Sequence, residues 1–230
     1  MWIIVGNATS VRGTYAERHA EPIERAVRAQ ACSGDGGAPS VTSSEPAAAS
    51  VSSSLGPDWV LGEDGLRHRR AARVIVLDEA GRALLVRGHD ADQPGRSWWF
   101  TVGGGIEPGE SEVAAAVREA HEEAGLELAE DDLEGPVMTR AGIFHFFAET
   151  CRQDEVFFVA RVSRHEPSDA GWTPQERDVL DEMRWLSVAE LRAQRIEVFP
   201  TVLPDVVAAL ADGWDGVVRH LGTEHDDETA

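Results

Sequence analysis

Gly104-Gly105-Ile106-Glu107-Pro108-Gly109-Glu110-Ser111-Glu112-Val113-Ala114-Ala115-Ala116-Val117-Arg118-Glu119-Ala120-His121-Glu122-Glu123-Ala124-Gly125-Leu126 is the stretch on which the reading of this chain turns. Glycines and Pro108 mark its first part as a loop, and the Ala, Val, Glu and Arg that follow predict a helix over Ser111 to Ala124. At 100° per residue, Val113, Ala116, Val117, Ala120 and Ala124 fall within roughly 100° of arc, the face expected to be buried. With Val113 at zero, Glu122, Glu119, Glu112 and Glu123 sit at roughly 180°, 240°, 260° and 280°, a separate acidic sector. Residues 103–134 carry eleven Asp or Glu against one Arg. Oxygen donors at this density suit a hard divalent cation such as Mg²⁺ or Mn²⁺, although an ordinary solvated acidic face would read the same from the helix alone.

Outward from this segment, Arg73-Val74-Ile75-Val76-Leu77 and Ala83-Leu84-Leu85-Val86 are β-branched or aliphatic runs separated by Asp78-Glu79-Ala80-Gly81, a strand, turn, strand unit. Ser97 to Val102 is a third strand running into Gly103, with further strands expected at 141–147, 156–162 and 183–186. Short helices are expected at 188–193 and 204–211. Strands and helices alternate irregularly over about 150 residues, which indicates a mixed α/β or α+β domain.

The loop and helix carry Gly104, then Glu110 after five residues, then Arg118-Glu119-Ala120-His121-Glu122-Glu123-Ala124-Gly125-Leu126 after seven more. This resembles the Nudix box, G-x5-E-x7-R-E-U-x-E-E-x-G-U with U bulky and aliphatic, at every defined position except Ala120, where the family usually has Leu, Ile or Val. That position faces the core, so the departure concerns packing and not chemistry. The resemblance extends over roughly Arg70 to Asp212. It implies a Nudix-type α/β/α sandwich with a mixed β-sheet between helices, spanning residues 67–215 between a low-complexity N-terminal extension, 1–66, and an acidic tail, 216–230.

The resemblance also implies an activity: metal-dependent hydrolysis of a nucleoside diphosphate linked to another moiety, by attack of water on phosphorus. Glu119, Glu122 and Glu123 would be the ligands of Mg²⁺ or Mn²⁺, Arg118 would orient Glu119, and Glu110 would support the loop and helix from behind. Gly104 and Gly105 would let a substrate phosphate approach the loop backbone. A further carboxylate from outside the box, as ligand or general base, is expected from Glu155, just ahead of the strand Val156-Phe157-Phe158-Val159, with Glu176 as second candidate. Arg87, at the end of the second strand, is a candidate phosphate contact. Trp98 and Trp99 point to opposite faces of their strand, so one belongs to the core and the other is available to stack on a base. The alternative function is a non-catalytic Nudix-like domain that binds and senses a nucleotide. Such domains tend to lose box carboxylates and to join a DNA-binding module, and here every box carboxylate is present. Subgroup markers downstream are missing: Ala141 stands where ADP-ribose-cleaving relatives carry Pro, and Tyr15 is the only tyrosine.

Composition bounds the partners. Asp and Glu number 41 against 21 basic residues, all of them Arg, for a formal charge of −20. Such a surface repels phosphate backbones and anionic lipid, so the expected partner is a small nucleotide, with neither nucleic acid nor membrane; a homodimer is left open. The two cysteines, Cys32 and Cys151, are too few for a disulfide framework, and no run approaches a membrane span, which together suggest a cytoplasmic location. His121, His145 and His165 show no metal-ligand spacing and are read as surface or core fillers. Residues 31–57 contain 21 Ala, Ser, Gly, Pro or Thr out of 27, which predicts a disordered linker. A thin helix is conceivable within 14–30. Everything before Asp58 is therefore expected to be dispensable, and Thr223 to Ala230 is expected to fray.

Overall fold

The computed structural model describes residues 55–225, apart from Pro57, Ala91, Asp92, Phe147 and Ala148. The thin helix within 14–30, nearly all of the linker at 31–57, and residues 226–230 lie outside the described residues.

A short strand β1 (Val60–Leu61) leads into β2 (Arg67–Leu77), β3 (Ala83–Asp90) and β4 (Gln93–Gly105). The turn between β2 and β3 is held by Asp78, whose Oδ1 accepts from the backbone N–H groups of Ala80 and Arg82 and whose Oδ2 accepts from Arg82 Nε at 2.7 Å. Helix α1 (Glu112–Ala124) follows; Ser111 caps it, its hydroxyl accepting from Ala114 N. The long hairpin of β5 (Leu133–Phe146) and β6 (Glu149–Arg161) comes next. The chain closes with α2 (Pro174–Val179), β7 (Leu180–Leu186), α3 (Val188–Arg192), β8 (Glu197–Val198), α4 (Leu203–Ala209) and β9 (Arg219–His225).

The strands form one mixed sheet in the order β7-β3-β4-β2-β6-β5-β9, with β1 on β2 and β8 on β4. The pairs β2–β6, β4–β8 and β5–β9 are parallel and the others antiparallel. Period-2 alternation divides each central strand between two cores. Ala72, Val74 and Val76 of β2 join Val156, Phe158 and the small residues of α1 on one face. Ile75 and Leu77 join Trp99, Phe157, Leu191 of α3 and Leu203, Val206 and Val207 of α4 on the other. The sheet thus lies between helices, as an α/β/α sandwich.

The chain departs from expectation at both ends of this domain. Residues 216–230 are not all tail: Arg219–His225 is a strand paired in parallel with β5, and Glu224 within it is buried, accepting from Arg140 Nη1 at 2.8 Å. Sequence conceals this because the partner that neutralises Glu224 lies 84 residues away. At the other end, Leu55 and Trp59 are buried against Cys151 and Phe144, and β1 pairs with the start of β2. The domain therefore begins ahead of residue 67, and two apolar side chains at the end of a Ser/Ala-rich segment are enough to dock it.

Candidate active site

The site is assembled where β4 turns into α1. Gly103 has φ of 132°, and a side chain there would run into the backbone carbonyl of Ala72, so only glycine fits. Its N–H donates to Glu123 Oε2 at 2.7 Å. At Gly104 an added Cβ would stand 2.6 Å from Glu119 Oε2, so the missing side chain is the space the carboxylate occupies. These contacts correct the helical-wheel reading: Glu119 and Glu123 are buried together with Ala115, Ala116, Ala120 and Ala124, whereas Glu122 is exposed. The buried arc spans about half the helix circumference and includes most of the acidic sector, because the glycine loop lies against a face that the apolar pattern leaves outside the core.

Arg118 is the hub of the arrangement. It binds Glu110 bidentately, Nε to Oε1 and Nη2 to Oε2 at 2.9 Å each, and its Nη1 donates to Glu119 Oε1 and to Glu122 Oε2, also at 2.9 Å each. Nη2 also donates to the carbonyl of Gly105 at 2.8 Å. Glu110 in turn accepts from Glu107 N, which closes the loop on itself. One guanidinium thus ties loop, helix and three box carboxylates into a unit. The C-terminal end of α1 is held separately: Gly125 adopts the left-handed conformation, Ser168 N donates to Ala124 O, and Trp172 Nε1 donates to Glu123 O at 2.8 Å.

Electrostatics set Glu123 and Glu119 apart from Glu110. Burial pushes the Glu123 carboxyl up to about 8, against the opposing pull of Arg73 and the Gly103 N–H. Burial raises Glu119 as well, although Arg118 counteracts it. Glu110 moves the other way because Arg118 hydrogen-bonds to it. Two buried carboxylates, Glu123 without a basic partner among the described residues and Glu119 with one Arg118 nitrogen, are a donor set that fits a hard divalent cation, which would supply further positive charge. Among the described residues no three acidic, His or Cys side chains already converge for coordination, and Glu122 is turned toward Arg118. Accepting an ion would require Glu122 to swing from Arg118, a rotation its exposure permits.

Glu119 and Glu123 open onto a cavity of about 610 Å³ whose lining also includes Gly104, Gly105, Trp98, Arg118, Glu155 and Glu176. Trp99, by contrast, is buried in the opposite core with its Nε1 on Gln194 Oε1 at 2.9 Å, so Trp98 is the one that faces the cavity. Arg87 is not brought into the site: it pairs with Asp181 and Glu182 of β7, at 3.2 and 2.8 Å, outside the lining.

Glu155 is in the site but not as expected. It lies inside β6 and not at its start, 5% exposed, between Arg73 at 2.9 Å and Arg140 at 2.5 Å, with Gln153 Nε2 also donating to it. Although burial opposes ionisation, the two arginines hold its carboxyl down at about 2. Three donors and two positive charges hold it ionised, so it anchors arginines and is a poor proton acceptor. Glu176, which forms the capping box of α2 with Thr173, lines the same cavity and lies near enough for its charge to raise Glu123.

Sequence reasoning missed the arginines of the cavity, the part-buried Arg69 and Arg73 and the buried Arg140, together with Gln153, Asp58 and Trp59. One signal was present. Arg67, Arg69 and Arg73 occupy the same parity of β2 as Ile75 and Leu77, so three charges stand on a strand face that ends apolar.

The profile of the NUDIX domain matches residues 67–205, more than half of the chain, and the chain belongs to the Nudix family. It is a Nudix hydrolase, of the class that acts on nucleoside diphosphates linked to another group. Among solved structures it is similar to a MutT protein from Bacillus halodurans, at 19% identity and a TM-score of 0.47, covering 68% of this chain and 89% of that one. A MutT protein from Methanosarcina mazei Go1 is similar at 18% identity and a TM-score of 0.44, covering 63% and 93%. For a MutT Nudix hydrolase from Burkholderia pseudomallei the values are 20%, 0.43, 60% and 95%. No curated protein sequence matches the chain.

Proposed function

We propose that this protein is a metal-dependent pyrophosphohydrolase that cleaves a nucleoside diphosphate linkage by attack of water on phosphorus. The observation that carries the reading is the pair of buried carboxylates, Glu119 and Glu123, set against Gly104 and Gly103 at the rim of a cavity lined by arginines. Glu119, Glu122 and Glu123 would hold Mg²⁺ or Mn²⁺, which when bound neutralises phosphate charge and lowers the pKa of water.

The remaining work falls to side chains of the chain. Arg118 keeps Glu119 in place and, with Glu110, fixes the loop so that Gly104 and Gly105 present backbone to the phosphates. Arg73 and Arg140, held by Glu155 and Glu224, put guanidinium groups on the cavity lining in a protein whose overall charge is −20. Phosphoryl transfer needs placement and charge compensation more than covalent help, and this arrangement provides both. Glu176 takes the role of the outside carboxylate, receiving the proton of the attacking water, because Glu155, ion-paired with two arginines, is too weak a base. Trp98 is available to stack on a base at the cavity wall. The substrate is a small nucleotide, and the location is the cytoplasm.

The test is hydrolysis of a panel of nucleoside triphosphates, oxidised nucleotides, ADP-ribose, NADH, nucleotide sugars and dinucleoside polyphosphates, with Mg²⁺, with Mn²⁺ and with chelator. Cleavage of at least one diphosphate linkage, abolished by chelator, is expected. Tight nucleotide binding with no product from any member would instead make the protein a sensing domain.

A further inference from the structure

The segment Asp58–Trp59 lies upstream of the residues that match the family profile, yet it lines the same cavity as Glu119 and Glu123. Its side chains converge on one residue. The guanidinium of Arg69 lies over the Trp59 ring, 4.4 Å from its centroid. In the guanidinium plane, Arg69 Nη1 donates to Asp58 Oδ2 at 3.0 Å and Nε donates to Gln153 Oε1 at 2.7 Å. Trp59 is itself fixed, 6% exposed, with Phe144 edge-on at 6.1 Å and Leu55 and Cys151 packed beneath. Two in-plane hydrogen bonds and one covered face leave the opposite face of a flat cation, and Arg69 lines the cavity.

A rigid guanidinium plane with one open face is a surface on which a planar heteroaromatic ring stacks well. Its position along β2 suits this use. Gly105, next to Gly104 in the loop, pairs with Ala71 on the strand face of Arg69, and a Cβ there would stand 3.3 Å from Arg69 Cδ, so the loop that meets Glu119 also borders Arg69. Glu119 is close enough for its charge to act on Arg69. A nucleotide with its diphosphate at the carboxylates can therefore extend its base to that face.

We infer that Arg69, clamped by Trp59, Asp58 and Gln153, is a specificity-determining stacking platform for the nucleobase, and that the segment upstream of the family domain is thereby part of the substrate site. This rests on the cavity being a nucleotide site and not on hydrolysis, so it is tested by equilibrium binding. Calorimetric titration compares a nucleoside monophosphate with ribose 5-phosphate, the same ligand without its base, on the full chain with Mg²⁺. The parent is expected to prefer the nucleoside monophosphate by about tenfold or more, the usual scale of stacking one base.

Arg69→Lys keeps the charge but removes the plane. It is expected to abolish most of that preference while leaving ribose 5-phosphate affinity within about twofold. Trp59→Leu and Asp58→Asn, which loosen the clamp, should lower the preference by several-fold, with melting curves confirming that each variant is folded. An unchanged preference in Arg69→Lys, or equal affinities of the parent for the two ligands, would overturn the inference. A parent that shows the preference but hydrolyses nothing would refute the proposed activity and leave the platform standing.

Discussion

Glu123 combines two demands that conflict in one residue. It is buried without a basic side chain at ion-pair distance among the described residues, and its carboxyl is pushed up to about 8, so at neutral pH without metal it is held mostly protonated at a cost to the fold. Glu123→Gln removes a ligand charge where the reaction needs it, and turnover is expected to fall by several orders of magnitude. The same variant should melt no lower than the parent in chelator at pH 7, because a neutral amide no longer has to resist ionisation. Parental turnover in Mg²⁺ would show that the carboxylate is not used.

Glu155 has the opposite balance. Its folded pKa near 2 lies below the ordinary carboxylate value of 4.5, so its contribution is fully present above pH 4.5 and is lost as pH falls toward 2. A shift of this size corresponds to about 3 kcal/mol. Glu155→Gln leaves Arg73 without an acidic partner among the described residues and Arg140 with Glu224, and a loss of about 3–5 kcal/mol is expected at pH 7, with a flatter acid limb in the unfolding profile. If denaturant titration places the variant within 1 kcal/mol of the parent, roughly the scale of an exposed pair, the double ion pair is not structural.

At the scale of elements, α1 is carried by what packs against its ends. The loop at 168–172 covers its C-terminus so closely that a side chain at Gly171 would meet the backbone carbonyl of Glu122, while the indole of Trp172 holds the carbonyl of Glu123. Gly171→Ala must displace either the loop or the helix turn that bears two box carboxylates. A stability loss of about 1–3 kcal/mol is expected, as for other overpacked sites, accompanied by a larger proportional loss of kcat than the stability change explains. Stopped activity without any change in melting temperature would place the effect elsewhere. Ala120 belongs to the same helix and is fully buried, in contact with the strand core. Where the family usually has a larger aliphatic residue this buried position holds Ala, so Ala120→Leu adds volume to a packed core and should also destabilise by about 1–3 kcal/mol by melting or denaturant titration.

For the whole molecule the question is where the folded domain begins. Leu55, Trp59 and β1 are integrated with β2, β5 and β6, although the family match starts at residue 67. A chain starting at Leu55 is expected to melt within a few degrees of the full protein. One starting at Arg67 uncovers Cys151 and loses the burial of a Trp and a Leu, a cost of about 3–5 kcal/mol for the Trp alone. That corresponds to a fall of about 10 °C for a domain of this size. Reaction of Cys151 with a thiol reagent gives an independent readout: slow from Leu55, fast from Arg67. Equal melting temperatures and equal thiol rates would return the segment to the status of a dispensable linker.

Much of the domain was legible because its information is local. Cap, glycine loop and box carboxylates lie within 23 consecutive positions, and the apolar runs of β2 and β3 declare themselves by β-branched composition and a turn whose Asp78 serves its own neighbours. Box positions Gly104, Glu110, Arg118 and Glu119 meet because a helix of 3.6 residues per turn and one short loop suffice to bring them together. Long-range pairing was illegible. Whether Glu155 was an exposed acid, a base or an anchor depended on Arg73 and Arg140, 82 and 15 residues away, and the choice between Trp98 and Trp99 depended on which face of β4 received α3 and α4. Arg87 reads as a phosphate contact in isolation and becomes a partner of Asp181 and Glu182 only when β7 pairs with β3. By itself, then, the sequence determined the family, the acidic helix and its ligand-type residues, all set by spacing along one segment. Tertiary structure alone decided which carboxylates are buried, which arginines line the cavity and how far upstream the site reaches, because charge compensation and burial are properties of side chains that meet only when distant strands lie side by side.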